Sequence, residues 1–346
     1  MRLVHYHFGT DGGAEGFFVH LVNGLAARGI EQKVVIRPRR QWRKEIDQVA
    51  EVMAESHFRR LSVSRLTLPG YLSSVYREWQ PDAILAWMSR AGHLLPASSP
   101  ALRMARLGTY PGQLKQFMHA DVLICNTPGV AAHVRRLGWK RGIRMISNFT
   151  STEQVVPICR QELGTPEHAP VICTVGRLVH IKGVDVLIRS LRYAPEFYLW
   201  IVGDGEKRSA LESLAQELKV QDRVRFLGWK TDPRPYTRAS NISVMASRHE
   251  ALGNVILEAW TQRVPVVSSR SAGPLWFVRD GENGLLVDID DVVGFAAAFR
   301  KIVADPRLAN RLIQGGVTTL ENQFSEQAIV DQYLEVLAEQ RAVAAA

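Results

Sequence analysis

The sequence predicts an α/β protein made of two doubly wound, parallel-sheet domains. Its 346 residues are enough for about two domains of roughly 150 residues each. Short β-branched runs alternate with segments of helical periodicity along the whole chain, which is the pattern of parallel strands covered by helices. A composition of 46% hydrophobic and 22% charged residues is that of a soluble globular protein, and it excludes disorder, collagen and coiled coils.

The predicted strands fall into two groups. The first sheet takes four runs, at residues 2–7, 32–37, 83–87 and 122–125. The second sheet takes five runs, at residues 171–175, 197–202, 224–227, 242–245 and 265–268. Between strands of the second group, Val184, Leu187, Ile188 and Leu191 recur at the spacing of a helix.

A linker is predicted between about residues 150 and 170, where three prolines interrupt both periodicities. We therefore expect an N-terminal Rossmann-like domain over 1–160 and a C-terminal Rossmann-like domain over 161–324. A last helix over 325–346 either completes the second domain or crosses back to the first. Two doubly wound domains are expected to place an active cleft at the carboxyl ends of their strands.

No run approaches the roughly 18 apolar residues of a membrane span. The N-terminus is too polar for a signal peptide. The three cysteines, Cys125, Cys159 and Cys173, are odd in number and far apart, which fits thiols in a reducing compartment. These features predict a cytoplasmic protein.

Positive charge is concentrated in the first half of the chain. Residues 1–165 hold 22 basic and 12 acidic side chains, a balance of +10, whereas the remaining residues hold 21 and 22, a balance of −1. The basic residues form two clusters: Arg37, Arg39, Arg40, Arg43 and Lys44, and then Arg135, Arg136, Lys140, Arg141 and Arg144. They indicate either a solvated surface or attraction to anionic lipid or a phosphorylated saccharide. Nucleic acid is not expected, because no binding motif accompanies the charge.

The strongest chemical motif is Ser-Arg-His-Glu-Ala-Leu-Gly-Asn-Val-Ile-Leu-Glu at residues 247–258. It follows a predicted strand and starts a helix near Gly253, so that the amides of Gly253, Asn254 and Val255 are available to a phosphate. Glu258 can accept hydrogen bonds from a ribose diol, and Glu250 from sugar hydroxyls. The structural alternative is a helix-dipole glutamate together with a surface glutamate.

A second motif, Val-Gly-Arg-Leu-Val-His-Ile-Lys-Gly at residues 175–183, occupies the equivalent place after another strand. Arg177 and Lys182 can both reach a diphosphate there, the arginine as a planar fork and the lysine as a point charge. The alternative is a pair of solvated basic residues at a turn.

A third motif is a glycine-rich loop after the first strand, with glycines at 9, 12, 13 and 16. Such a loop lets a charged ligand approach the backbone closely. The spacing is not Gly-x-Gly-x-x-Gly, and the second strand ends in Arg37-Pro-Arg-Arg40 rather than in an acidic residue. An NAD site is therefore disfavoured, and an NADP site is only weakly supported.

Together these segments resemble glycosyltransferase family four, the retaining GT-B transferases, over nearly the whole chain. The further motifs that carry the resemblance are Ile146-Ser-Asn148, Gly176-Arg177, Lys182-Gly183-Val-Asp185, Val202-Gly-Asp-Gly205, Phe226-Leu-Gly228, Pro265-Val-Val267 and Asp280-Gly-x-Asn-Gly284. Within that family the chain looks most similar to bacterial lipopolysaccharide-core transferases. The implied fold is GT-B, with two Rossmann-like domains facing a central cleft.

The resemblance also implies roles for individual residues. Arg177 and Lys182 would neutralise the departing diphosphate, and Glu250 would contact the donor sugar as the third catalytic residue. The donor would also contact Gly12, Gly13, Gly176, Gly228, Trp229, Gly253, Asn254, Val255 and Glu258. Within this set Glu258 would bind the ribose, Asn254 and Val255 the distal phosphate, and Gly228 and Trp229 the base.

One segment departs from the family pattern. Many members carry a histidine at the end of the fourth strand of the first domain, where this chain has Leu-Ala-Trp-Met-Ser-Arg at residues 85–90. Either Ser89 or His93 replaces that contact, or the enzyme does without it. Ser89, His93 and Tyr110 are the acceptor-site candidates.

No metal or other cofactor is expected. Asp288-Ile-Asp290 matches the Asp-x-Asp that holds Mn²⁺ in the other transferase architecture, but it lies between a strand and a helix, where Asp290 or Asp291 is better explained as an N-cap. His5 and His7 face one side of the first strand without further ligands, and core or loop-facing histidines are the better interpretation.

The expected activity is transfer of a sugar from a UDP-, GDP- or ADP-sugar to a glycan or lipid-linked saccharide, with retention and without metal. The expected setting is lipopolysaccharide-core or cell-surface polysaccharide synthesis. Peripheral contact with an anionic inner membrane face is a further expectation. Two alternatives stay open: a nucleotide-sugar 2-epimerase on the same fold, and a non-catalytic sugar- or lipid-binding subunit.

Overall fold

The computed structural model describes residues 1–9, 13–57 and 63–345. The chain forms two compact units, one of Met1–Thr150 with Phe324–Ala346 and one of Ser151–Gln323. The division falls at residue 150, at the start of the proline-containing segment. That segment is tied to the second unit, since the Gln262 side chain accepts from the Val155 amide at 3.1 Å and donates to the Glu153 carbonyl at 2.8 Å.

Each unit contains one parallel sheet. In the described residues the first sheet has the order β3-β2-β1-β4-β5-β6-β7 and the second has the order β10-β9-β8-β11-β12-β13. The strands are β1 (Arg2–His7), β2 (Glu31–Ile36), β3 (Glu51–Glu55), β4 (Ala83–Trp87), β5 (Leu102–Leu107), β6 (Val122–Cys125), β7 (Gly142–Met145), β8 (Val171–Val175), β9 (Tyr198–Val202), β10 (Val224–Gly228), β11 (Ile242–Met245), β12 (Val266–Ser269) and β13 (Leu285–Val287).

Helices connect most successive strands, and 3-10 turns connect β2 to β3 and β5 to β6. The helices are α1 (Gly13–Ala27), α2 (Ser64–Trp79), α3 (Met88–Gly92), α4 (Pro128–Arg136), α5 (Val184–Ser190), α6 (Arg208–Glu217), α7 (Arg234–Ala239), α8 (Asn254–Thr261), α9 (Pro274–Phe277), α10 (Val292–Ala304), α11 (Pro306–Gln323) and α12 (Glu326–Ala345). None of the helices within the described residues is both long and apolar enough to cross a membrane.

The core of the first unit includes the C-terminal helix. Phe17, Leu21 and Leu25 recur every four residues on α1, so they lie on one face, and all three are buried. Tyr333 and Leu337 of α12 are buried in the same cluster. The last helix therefore packs in the first unit, although it follows the second along the chain.

The core of the second unit follows the predicted periodicity. Leu187 and Leu191, four residues apart at α5, are fully buried beside Phe295 and Phe299 of α10. Burial of a large apolar side chain contributes about 1.5–3 kcal/mol. These helices cover one face of the second sheet, and the loops after β8 and β11 leave from its carboxyl edge.

All nine predicted strands are confirmed, each within one residue at either end. Five coincide with observed ones at both ends, namely β1, β4, β6, β8 and β11. The prediction missed β3, β5 and β7, and β13 is the strand that was expected before Asp288-Ile-Asp290. Strands β3 and β7 are the two edges of the first sheet and carry exposed polar residues, while β5 contains two arginines in six residues.

The strand order identifies where ligands are expected. Chain order reverses between β1 and β4 in the first sheet and between β8 and β11 in the second. In doubly wound sheets, ligands bind at the carboxyl ends of the strands at such a switch point. The predicted motifs at residues 175–183 and 247–258 both lie at the β8/β11 switch.

Candidate active site

The first half of the site is the connection from β8 to α5. The chain leaves β8 at Gly176, passes Arg177, and makes a short 3-10 turn at His180–Lys182 before α5. Gly183 has φ +65°, and a Cβ there would lie 2.1 Å from the Ala246 carbonyl oxygen. Only glycine therefore lets this turn approach the end of β11 so closely.

The second half is the connection from β11 to α8. Gly253 precedes α8 with φ +98° and no side-chain cap, so the first amides of this eight-residue helix have no capping side chain. Glu250 lies in the loop before it. Ser247 Oγ donates to Glu250 Oε2 at 3.3 Å, which orients the carboxylate.

An ion pair joins the two halves. Lys182 Nζ lies 2.5 Å from Glu250 Oε2, and the two side chains are 26% and 17% exposed. Because both remain partly in contact with water, the lysine can exchange this carboxylate for another anion without a large desolvation penalty. The predicted cation and the predicted sugar-binding carboxylate are therefore direct neighbours.

A cleft at the β8/β11 switch collects the predicted phosphate-binding residues. Its lining includes Gly176, Arg177, Lys182, Ser247 and Val255. Two positive side chains and the N-terminal turn of α8 thus converge on one small space, an arrangement that favours an anion. Asn254 is the first residue of α8, next to this lining.

Glu258, one turn further along α8, is in a different electrostatic environment. Removal from water raises the pKa of its carboxyl from 4.5 to about 7; the positive charge of Arg234 opposes this rise and the negative charge of Asp232 adds to it. Arg234 is itself engaged, since Nε and Nη2 donate to the two oxygens of Asp232, both at 2.9 Å.

Asp232 and Arg234 were not among the predicted site residues. Their signal was weak, because an Asp-Pro-Arg triplet after a strand is also ordinary turn sequence. They follow Gly228 and Trp229 at the end of β10. Gly228 has φ +68°, its carbonyl accepts from the Gly203 amide at 2.8 Å, and Trp229 is half exposed. These two residues are not part of the lining of the Arg177 cleft.

Arg248 is a second residue that the sequence did not single out. Its guanidinium donates to both Asp185 oxygens at 2.9 and 2.7 Å and lies 2.8 Å from Asp290. It also donates to the His180 carbonyl at 2.6 Å. Arg248 therefore holds the Lys182 turn against the Glu250 loop from outside the cleft.

The same contacts explain the Asp-x-Asp sequence. Asp290 pairs with Arg248, and Asp288 lies 3.2 Å from Arg270. Asp291 caps α10, because its side chain accepts from the Gly294 amide at 2.8 Å, as the N-cap interpretation predicted. In the described residues no group of three or more His, Cys, Asp or Glu side chains is placed to hold a metal.

The first-unit candidates are less compactly arranged. Gly12 lies outside the described residues, and Gly13 is the first residue of α1. Ser89 is in α3 and accepts from Gln116 Nε2 at 3.2 Å. His93 is exposed just after α3, and Tyr110 packs edge-on against His133 with ring centroids 5.4 Å apart.

Trp87 ends β4, where the family histidine was expected. Its indole Nε1 donates to His5 Nδ1 at 3.2 Å, which leaves Nε2 of His5 as the donor to Gln32 Oε1 at 3.0 Å. Burial lowers the pKa of His5 to about 4 and that of His7 to about 3. Both imidazoles are buried and neutral at neutral pH, in agreement with the interpretation of them as core histidines.

The basic clusters are partly neutralised. Arg43 pairs with Asp47 and Glu55, and Arg144 pairs with Glu339. Arg135 and Arg141 donate to backbone carbonyls, for example from Arg141 to Met118 at 2.7 Å. The carboxylates offset the charge of Arg43 and Arg144 locally, whereas hydrogen bonds to neutral carbonyls leave the charge of Arg135 and Arg141 in place.

Comparisons with known proteins identify the family of this chain. The family model described as glycosyl transferases group 1 matches residues 156–318. The lipopolysaccharide core biosynthesis glycosyltransferase LpsE of Rhizobium meliloti (strain 1021) is 53% identical over 338 residues, which is 98% of this chain and 99% of that protein. LpsD of the same strain, with the same description, is 46% identical over 97% of this chain and 98% of that protein.

Among solved structures, Anabaena HepE in complex with UDP and glucose has a TM-score of 0.83 at 21% identity, covering 98% of this chain and 100% of that one. At that identity the likeness shows the fold alone, and with the two parallel sheets it confirms the GT-B prediction. The resemblance to glycosyltransferase family four is confirmed by the matches over almost the full length. The chain belongs to the group 1 glycosyltransferases, among the glycosyltransferases of lipopolysaccharide core biosynthesis.

Proposed function

We propose that this glycosyltransferase takes its sugar from a nucleotide-sugar donor, retains the anomeric configuration and needs no metal. The observation that carries the proposal is the cleft at the β8/β11 switch, where Arg177, Lys182 and the first turn of α8 converge. A nucleoside diphosphate is the leaving group that such a cluster of positive groups suits best. The UDP held by Anabaena HepE supports the same choice.

In the proposed reaction the acceptor hydroxyl oxygen forms a bond to the anomeric carbon while the bond from that carbon to the diphosphate oxygen breaks. The acceptor proton passes to the departing diphosphate. Arg177, Lys182 and the α8 dipole stabilise the negative charge that grows on the diphosphate. Attack on the face from which the diphosphate leaves gives retention.

In this scheme Lys182 exchanges its ion-pair partner, Glu250, when the donor binds. Its ion pair with Glu250 holds the ammonium in the cleft before the donor arrives. When the diphosphate takes over the lysine, the Glu250 carboxylate becomes available to accept hydrogen bonds from the sugar hydroxyls. Replacement of this one ion pair then positions both the diphosphate and the sugar of the donor.

Glu258 is proposed as the ribose ligand. A carboxylate accepts two hydrogen bonds from a vicinal diol, and such bonds favour its charged form. The donor would thus lower a pKa that burial has raised to about 7. Ribose binding and ionisation of Glu258 are linked in this proposal.

Independence from metal is supported by the positive groups already present. Arg177 and Lys182 supply charge where a divalent ion would act in an Asp-x-Asp enzyme. Asp288 and Asp290 have arginine partners instead. The first unit is proposed to bind the saccharide acceptor, through Ser89, His93 and Tyr110.

The experiment that tests the proposal has two steps. A thermal-shift panel of UDP-, GDP- and ADP-sugars identifies the donor, because a ligand that binds only the native state raises the midpoint of unfolding. Release of nucleoside diphosphate is then measured with and without a truncated lipopolysaccharide acceptor.

Release that requires the acceptor supports transfer. Product formation without an acceptor would indicate the 2-epimerase, and binding without any turnover would indicate a sugar-binding subunit. The near full-length match to two core biosynthesis glycosyltransferases favours transfer.

A further inference from the structure

Arg106 of β5 is a buried cation with neutral partners. Its side chain lies at the carboxyl end of the strand and the residue is 2% exposed. Nε donates to the Tyr333 hydroxyl at 3.0 Å, and Nη2 donates to Asn148 Oδ1. The structure gives it no ion pair with a carboxylate anywhere in residues 1–9, 13–57 and 63–345.

Aromatic rings hold the guanidinium without neutralising it. Its central carbon lies 4.4 Å from the ring centroid of Phe17 and 5.2 Å from that of Trp87. Such contacts favour a cation, yet they leave its full charge in place. That charge acts on its neighbours: after burial, Arg106 is among the causes that set the pKa of His7 low, and it opposes the rise in the pKa of Cys125.

The Nη1 end of the Arg106 guanidinium has no hydrogen-bond partner among the described residues. Nη1 makes no hydrogen bond to any described residue, and it faces Gly108, where a Cβ would lie 3.4 Å from it. The same Cβ would lie 3.8 Å from Met88 Sδ and 3.9 Å from Asn126 Nδ2. The missing side chain of Gly108, a partly exposed residue, leaves an approach to Nη1.

Two further polar atoms at this sheet edge lack partners among the described residues. They are Asn126 Oδ1, directly after β6, and Ser147 Oγ, just after β7. Both side chains are buried, at 2% and 3% exposure. A buried polar atom without a hydrogen bond costs about 1–3 kcal/mol, so each one in a native structure calls for an explanation.

We propose that Arg106 and Asn126 form an oxyanion subsite, reached over Gly108, which binds a carboxylate or phosphate group of the saccharide acceptor. A guanidinium binds either group through paired N–H donors. Asn126 Oδ1 can accept a hydrogen bond from a neighbouring sugar hydroxyl. The site lies at the carboxyl edge of the first sheet, where doubly wound folds bind ligands.

This inference rests on the proposal that the first unit binds the acceptor, and it narrows that acceptor to an acidic saccharide. The decisive variant is Gly108→Ala. It leaves Arg106 and its internal hydrogen bonds unchanged, and it adds a methyl group at van der Waals distance from Nη1. Removing Arg106 itself is less informative, because Tyr333 and Asn148 would lose their donor and the fold would be disturbed.

The probes are glucuronate and glucose 6-phosphate, with glucose as the neutral control. Their binding is measured by calorimetry in the presence of saturating UDP, so that the cleft of the second unit is already occupied. Gly112→Ala is the matched control, since a Cβ there meets nothing within 4 Å. Whichever probe binds identifies the anion as carboxylate or phosphate.

Gly108→Ala is expected to weaken binding of that probe about tenfold or more, the effect of losing a hydrogen bond to a charged group. Gly112→Ala is expected to leave it unchanged. Equal affinity in Gly108→Ala and wild type overturns the proposal, as does binding of neither acidic probe. A combined Arg177→Ala and Lys182→Ala variant should lose UDP binding and keep probe binding, so failure of the donor site is distinguished from failure of this one.

Discussion

Glu258 offers a test of the donor site that begins with stability. In the folded protein the pKa of its carboxyl is about 7, against an ordinary value of 4.5. An acid whose pKa is raised on folding stabilises the fold below its unfolded pKa, and this contribution is lost as pH rises through the folded pKa. Above pH 7 the ionised Glu258 therefore destabilises the unliganded protein relative to a neutral isostere.

The size of this destabilisation follows from the ordinary and the folded pKa of the Glu258 carboxyl. The interval from 4.5 to about 7 corresponds to about 3 kcal/mol at most, and partial exposure of the residue reduces it. Glu258→Gln should thus match wild type in its free energy of unfolding at about pH 4, below the ordinary pKa of 4.5. At pH 8 it should be more stable by about 1–3 kcal/mol.

The assay is urea unfolding of both proteins at half-unit steps between pH 4 and pH 8.5. Glu217→Gln, a change at an exposed residue of α6, serves as the control and should track wild type throughout. UDP-sugar affinity should rise with pH in wild type and stay low and flat in Glu258→Gln, because only the carboxylate accepts both diol hydrogens. Parallel stability curves for the two proteins would refute the buried-carboxyl argument.

Three further outcomes are expected. Lys182→Ala and Arg177→Ala should each slow turnover, because each loses about 3 kcal/mol of transition-state stabilisation. Their free energies of unfolding should fall by about 1 kcal/mol or less. Near-normal turnover in both well-folded variants would refute the proposal that these two residues bind the diphosphate. Turnover should survive EDTA, and loss that Mn²⁺ restores would return Asp288 and Asp290 to consideration as metal ligands. Co-sedimentation with anionic vesicles should decrease as the salt concentration rises. It should also decrease when five residues are changed to Ser, namely Arg37, Arg39, Arg40, Arg43 and Lys44. Equal binding to neutral vesicles would show that the cluster is only a solvated surface.

The fold was predictable because most of the strands are continuous apolar runs in the sequence. A central parallel strand is buried on both faces and reads as an apolar run, as β4 and β8 do. Strand β5 is central as well, but Arg103 and Arg106 interrupt its run. Arg103 is explained by a pair with Asp121 across to the start of β6. Arg106 has no such partner in the described residues, so the feature that hid the strand is also the one that indicates a ligand.

The candidate site was predictable at the level of neighbourhood. Both motifs follow strands, and adjacent parallel strands bring their carboxyl ends together, so the Arg177 turn and the Glu250 loop had to be close. The pair between Lys182 and Glu250 spans 68 residues, and no local pattern specifies it. The same holds for Arg248, whose two carboxylate partners come from the first turn of α5 and from the loop before α10.

The two units share a physical feature that a protein selected for stability alone would not keep. In the second unit a carboxyl is held where ionisation is unfavourable. In the first, a guanidinium is buried among neutral partners. Unsatisfied charge of this kind destabilises the free protein and is relieved by a ligand of the opposite sign or by a hydrogen-bond donor. Binding of a donor and of an acidic acceptor should therefore each raise the midpoint of thermal unfolding by more than binding to a solvated surface site of equal contact area would.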